Sequence, residues 1–157
     1  MYNNTYGVSQ VISNTDYLLF KKGVRPEWED PANKQGGKWV VTLPIADDME
    51  EDCDDAWLQL ILNLLAGQFP KEQRDVINGI VFSVRDKHLR ISIWTAISKD
   101  EKILRKIGIK IKEICGLHKK YKFGFQEHAK ALKHDLDNQM FLEVWFKVMF
   151  ALILTLA

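Results

Sequence analysis

"INGIVFSVRDKHLRISIWTAI", residues 77–97, is the stretch on which the reading of the fold turns. Two runs rich in β-branched residues flank a polar centre, which predicts two antiparallel strands joined by a turn. Side chains alternate across a strand, so Ile80, Phe82 and Val84 share one face while Val81, Ser83 and Arg85 share the other. On the return strand Ile91 and Ile93 are the apolar pair, and Arg90, Ser92 and Trp94 face the opposite way. The apolar faces must coincide on the core. Arg85, Arg90 and Trp94 therefore project together from the other face, with Lys87 near the turn.

Working outward, "DYLLFKKG" (16–23) predicts a short strand ended by Gly23, and "KWVVTL" (38–43) a second with Trp39, Val41 and Leu43 on one face. The acidic run "ADDMEEDCDD" (46–55) reads as a solvated loop feeding a helix N-terminus, where negative charge suits the dipole. The helix spans 55–67, ends at Gly67 and turns Ala56, Trp57, Leu60, Ile61 and Leu64 inward. After the hairpin, Ser98 and Glu101 have the spacing of a capping box. The helix that follows carries Ile103, Leu104, Ile107, Ile111 and Ile114 and stops at Gly116. "KKYKFGFQEH" (119–128) alternates again, with Tyr121, Phe123 and Phe125 on one side. This order predicts an α+β fold with helices on one face of an antiparallel sheet.

The chain has 157 residues, enough for one domain with a substantial core. Lys plus Arg number 22 against 21 Asp plus Glu, a net charge of +1, so any contact with a polyanion must be a local patch. Cys53 and Cys115 have no paired spacing, and the plain reading is a reduced intracellular compartment. The polar N-terminus, "MYNNTYGVSQ", has no signal-peptide pattern. At the other end, "MFLEVWFKVMFALILTLA" is interrupted by Glu143 and Lys147, and its apolar run falls short of the roughly 20 residues a bilayer requires. A buried or partner-seeking helix is the expectation there, with a tail anchor as the other reading.

Arg85, Arg90, Lys87 and Trp94 on the uncovered side of a sheet suit an anionic ligand with an aromatic part, since guanidinium forks engage phosphates. The same residues also describe a solvated face with one stray aromatic. A second set lies in "RPEWEDPANKQGGKWVV" (25–41), where Trp28 stands outside any core pattern beside Glu29. An indole offers a stacking face for a purine, and a carboxylate accepts N–H donors from a guanine edge. The alternative is a loop Trp folded onto the surface. The chain has no Walker loop, no G-x-S-x-G and no H-E-x-x-H, and its four histidines lack metal-ligand spacing. Surface or loop positions are expected for them, and binding rather than catalysis, without a cofactor.

"DYLLFKKGVRPEWEDPANKQGGKWVVTL", "DDAWLQLILNLLAGQF", "INGIVFSVRDKHLRISIWT" and "FGFQEH" together closely resemble the mRNA cap-binding translation initiation factor 4E family. The P-x-W-E-D…N-K-x-G-G-[KR]-W signature carries most of that resemblance, which runs from about Tyr2 to His128. It implies a curved sheet, helices on its convex face and a concave site for the 7-methylguanosine cap. Trp28 then resembles a stacking tryptophan and Glu29 the carboxylate that reads guanine. Arg85 and Arg90 resemble the phosphate ligands, Arg90 standing where the family usually has Lys. Lys87 assists them, and Trp94 resembles the Trp near the 7-methyl group. On the convex helix, Trp57, Leu58 and Leu62 match positions that dock an amphipathic segment of a 4G-type scaffold factor or of 4E-binding proteins.

The resemblance further implies a cytoplasmic protein, with the nucleus left open. It divides the chain into an incomplete 4E-like domain, 1–130, and an atypical apolar tail, 131–157. "MYNN" aligns with the end of the family's first helix, so the family's first two strands and second stacking Trp are expected to be missing. Two further readings stand beside the cap-binding one: an interaction module that keeps only the dorsal helix, and a tail-anchored protein.

Overall fold

Phe82 lies directly opposite Ile91, and Ile80 opposite Ile93, in a hairpin of β3 (Ile77–Arg85) and β4 (His88–Thr95). All four side chains are fully buried. The computed structural model describes residues 14–44, 50–86, 88–116, 122–130 and 155–156, without the side chains of 44, 50–54 and 155–156. Around the hairpin the chain adds β1 (Asp16–Lys21), β2 (Gly37–Pro44), β5 (Lys122–Glu127) and the two-residue β6 (Thr155–Leu156). The helices are α1 (Glu50–Leu65), α2 (Lys71–Val76) and α3 (Glu101–Ile114). The strand order is β5-β2-β4-β3-β1-β6, antiparallel throughout except for the parallel β1–β6 pair. This is the expected α+β class, a curved antiparallel sheet with helices on one side.

Alternation sorts the sheet into two chemically different surfaces. Leu19, Val41, Leu43, Ile80, Phe82, Val84, Ile91 and Ile93 make the core face, where Trp57, Leu60 and Ile61 of α1 and Ile107 and Ile111 of α3 cover them. Trp57 meets the Phe82 ring at 5.3 Å. Trp39 lies under α3, its indole N–H donating to the Leu104 carbonyl at 3.1 Å and its ring stacked on Phe123 at 4.7 Å. Lys21, at the end of β1, reaches α2 and donates its Nζ to the carbonyls of Arg74 (2.8 Å) and Asp75 (3.0 Å). That contact supplies donors to carbonyls left over at a helix C-terminus.

Several boundaries differ from the sequence reading. α1 begins at Glu50, so acidic residues expected in a loop form the helix's own first turns, where they complement its dipole. Gly67, in the left-handed region at φ 68°, follows the end of α1 as expected. α2 was not foreseen, because six residues with no apolar stripe give no periodicity to read. The cap of α3 is Asp100, whose carboxylate accepts from Ile103 N at 3.1 Å, in place of the Ser98–Glu101 capping box. Ser98 instead donates to the Gln35 carbonyl at 2.9 Å, pinning the loop before β2.

The expected C-terminal helix lies almost wholly outside the described residues. Thr155 and Leu156 are in strand, against Phe20 and Lys21, at an edge whose backbone groups need partners. No helix among the described residues is long and apolar enough to cross a membrane. Cys115 is a free thiol that burial pushes up to about 12, which keeps it in the protonated form at neutral pH.

Gly108 of α3 sits so close to the Trp39 indole that an added Cβ would lie 2.6 Å from its ring. Gly→Ala inside a helix ordinarily stabilises by up to about 1 kcal/mol. Here the clash reverses the sign: Gly108→Ala is expected to cost about 1–3 kcal/mol, read as a lowered urea midpoint.

Candidate functional site

The sheet face turned away from the helices can be laid out in rows from the strand registers. Phe20, Gly79, Trp94, Lys38 and Gln126 form one row across β1, β3, β4, β2 and β5. Two residues further along lies Leu18, Val81, Ser92, Val40 and Gly124, and beyond it Asp16, Ser83, Arg90, Thr42 and Lys122. Arg85 and His88 pair in the last row, at the turn. Arg85, Arg90 and Trp94 thus share the face that parity assigned to them. Lys87 lies outside the described residues.

Trp94 is held from both sides. Phe20 approaches edge-on with centroids 5.5 Å apart, and His128 packs at 4.4 Å. The Lys38 ammonium lies 5.8 Å from the indole centroid. An added Cβ on Gly79 would strike Phe20, so the missing side chain is what lets that ring cross β3 toward Trp94. His128, expected at the surface, is only 4% exposed. Burial, and then the Lys38 charge, push its pKa down to about 4, so at neutral pH it is an uncharged packing surface. The signal that could have found it was its parity with Gln126 and its place at the end of β5.

At the far end the charges are close together. Arg85 Nη2 donates to both oxygens of Asp16, at 3.0 and 3.2 Å, and Nη1 to the Val84 carbonyl at 2.8 Å. Arg90 lies half-buried, its Nε without a hydrogen-bond partner and its Nη2 3.3 Å from His88 Nε2. Burial and the Arg85 charge push Arg90 downward, offset in part by Asp16. Like charges packed in a half-buried patch are relieved by an anion, which makes this a candidate phosphate site. Asp16, Lys38 and His88 belong to this face and were missed. Asp16 opens a strand whose pairing partner the sequence does not disclose, and Lys38 was read only through its neighbour Trp39.

Trp28 and Glu29 occupy the two central positions of a turn closed by Asp30 N donating to the Glu27 carbonyl at 3.3 Å. Central residues of a turn point outward, and Trp28 is 42% exposed, with Glu29 exposed as well. That is why this Trp fits no core pattern. The turn is held from below by buried amides. Asn33 Nδ2 donates to the carbonyls of Arg25 (2.9 Å) and Glu27 (2.8 Å). Asn78 Nδ2 donates to Asn33 Oδ1 (2.9 Å) and the Ala32 carbonyl (2.8 Å), bolting the loop to the start of β3 beside the register shift there. Asp30 accepts from the N–H groups of Arg25 and Ala32, at 3.0 and 2.9 Å, and these bonds hold it below the usual carboxylate range. The loop therefore sits at the Trp94 end of the face, with the arginines at the other.

On the opposite side, Trp57 is 5% exposed and belongs to the core rather than to the surface. Leu58 is half-buried, while Leu62 and Leu65 are 49% and 52% exposed. Leu65 extends the apolar strip beyond the two leucines read from sequence. Among the described residues no His, Cys, Asp or Glu cluster could hold a metal ion.

The family model described as eukaryotic initiation factor 4E matches residues 1–143, past the His128 limit of the sequence resemblance. This chain belongs to the eukaryotic initiation factor 4E family. It is 39% identical over 132 residues to eukaryotic translation initiation factor 4E1 of Drosophila melanogaster, covering 84% of this chain and 49% of that protein. To the human eukaryotic translation initiation factor 4E it is 38% identical over 129 residues, covering 82% and 58%. The chain thus spans about half the length of the curated relatives it matches. Among solved structures, Caenorhabditis elegans eIF4E-3, in complex with the 4E-binding protein Mextli and a cap analog, superposes with a TM-score of 0.76 at 30% identity, covering 84% of this chain and 73% of that one. Ascaris suum eIF4E-3 with m7G cap gives 0.74 at 29% identity, covering 81% and 69%.

Two outcomes test this reading of the 4E-family frame. Asn33→Ala leaves two part-buried carbonyls and one amide unmatched and is expected to cost about 1–3 kcal/mol in urea denaturation, whereas Leu62→Ala stays within about 0.5 kcal/mol. The second concerns acid. His128 binds a proton near pH 6.5 when unfolded but only near pH 4 when folded, so stability falls as pH drops through that window. His128→Gln should flatten the decline in melting temperature between pH 6.5 and 4, and equal slopes would remove His128 as its source.

Proposed function

We propose that this chain binds the 7-methylguanosine cap of mRNA as a translation initiation factor. The observation that carries the reading is the layout of one face. An exposed Trp–Glu turn and Trp94 lie at one end, and Arg90 and Arg85 at the other. Trp94 and Arg90 are four residues apart on β4, about 14 Å at roughly 3.4 Å per residue, which suits a nucleotide whose phosphates run along the strand. In this reading Trp28 stacks on the base, Glu29 accepts its N–H groups, and Trp94 lies near the methyl group. A methylated, cationic base gains from indole faces that a neutral one gains less from. Arg85 and Arg90 take the phosphates, with Lys87 assisting.

The work is binding without catalysis, carried by a 4E-like domain over residues 1–130 of a cytoplasmic protein, with 131–157 as a tail. A second reading rests on the exposed Leu62 and Leu65 of α1: an amphipathic helix of a 4G-type scaffold or 4E-binding protein docks there through its own apolar face. Leu58 lies at the edge of that strip, and Trp57 supports it from within.

Retention on immobilised 7-methyl-GTP, with GTP as competitor, separates the two. The parent chain should be retained and poorly displaced by GTP. Trp28→Ala should weaken binding roughly 5- to 150-fold, the loss of one stacked ring, and Glu29→Ala should erase the preference over other nucleotides. Variants that bind as well as the parent would refute the assignment. A parent chain that is not retained at all would leave partner docking on α1 as the better account.

A further inference from the structure

We infer that His88 is a proton-linked phosphate ligand: neutral and accepting from Arg90 in the structure seen here, it takes up a proton and turns cationic when a phosphate chain engages Arg90. The inference deepens the cap reading, from which it takes the phosphate chain as its ligand.

It begins with the contact itself. Arg90 Nη2 and His88 Nε2 are 3.3 Å apart. A guanidinium has donors only, so this contact is a hydrogen bond only when the imidazole nitrogen supplies the lone pair, which requires a neutral ring with its proton on Nδ1. A protonated ring would have no lone pair to offer and would repel Arg90. Its surroundings agree: burial first, then the charges of Arg90 and Arg85, push His88 below its ordinary value. Arg85 of β3 pairs opposite it and Arg90 lies on its own strand, while Asp16 of β1 reaches the cluster through its 3.0 Å ion pair with Arg85. Asp86 stands in the turn, and β2 contributes the non-titrating Pro44.

A phosphate changes each of these influences. Guanidinium groups favour anionic oxygens over a neutral ring nitrogen, so Arg90 transfers its Nη2 bond to the ligand. His88 loses its donor and gains an adjacent negative charge, which favours the imidazolium. The proton comes from solvent, and the cation then donates to a phosphate oxygen. The bound-state pKa lies above the free-state one, so affinity rises as pH falls between them.

The test compares wild type with His88→Gln, whose amide oxygen still accepts from Arg90 but cannot charge. Affinities for 7-methyl-GTP and for inorganic triphosphate are measured by calorimetry from pH 8 to 5.5, in two buffers of different ionisation enthalpy. Titration of the ligand and of every side chain the two proteins share is common to both and cancels in the ratio. The expected result is near-equal affinity at pH 8 and a wild-type advantage that grows by up to about tenfold per pH unit. Proton uptake should appear in wild type and shrink in the variant. Parallel profiles for both ligands, or no binding of triphosphate, would overturn the inference. A His88-dependent slope with triphosphate and no preference for 7-methyl-GTP over GTP would uphold it while removing the cap reading.

Discussion

A slip of one residue between β3 and β4 would drive Arg90 and Trp94 under the helices and put Ile91 and Ile93 into water. The cost of burying a guanidinium and exposing two isoleucines is what locks the Phe82–Ile91 register. Everything else on the sheet inherits that choice. β2 reads its faces from β4, β5 from β2, and β1 from β3. One alternating hairpin therefore decides both what is core and which side chains share the opposite surface.

That surface is polarised along the strands rather than across them. Aromatic rings and the outward turn of Trp28 gather at one end, positive charge at the other, and small residues such as Ser92 and Gly124 lie between. The division follows from where loops attach. The loop before β2 is bolted by Asn33 and Asn78 beside the Trp94 row, while the tight β3–β4 turn carries Arg85 and His88. A ligand with an aromatic head and an anionic tail matches that polarity, and the buried amides of Asn33 and Asn78 are what hold the turn outward.

Much of this was legible in the chain because period-two alternation is a local signal. Arg85, Arg90 and Trp94 needed nothing but their own strands, and Trp28 announced itself by fitting no pattern. What was hidden depended on partners distant in sequence. Asp16 is an ordinary strand residue until the register sets it opposite Ser83, beside Arg85. His128 reads as a surface residue until Trp94 covers it. Ser98 has capping-box spacing, yet Gln35 takes its hydroxyl and leaves the cap to Asp100. Trp57 matched a docking position in the resemblance, while its own helical periodicity placed it in the core, where the structure has it.

Lys21 joins two parts of the molecule that differ in kind. Its ammonium, half withdrawn from water, spends two donors on the last carbonyls of α2 while its backbone belongs to the outer region of the sheet. Neither partner is strong alone: α2 has six residues, well below the length at which a helix holds itself together, and β1 lies outside the central hairpin. Fraying of the strand uncaps the helix, and melting of the helix strands an amine without its acceptors. The ammonium therefore ties the fate of one short segment to the other, on a flank where α2 otherwise continues directly into β3.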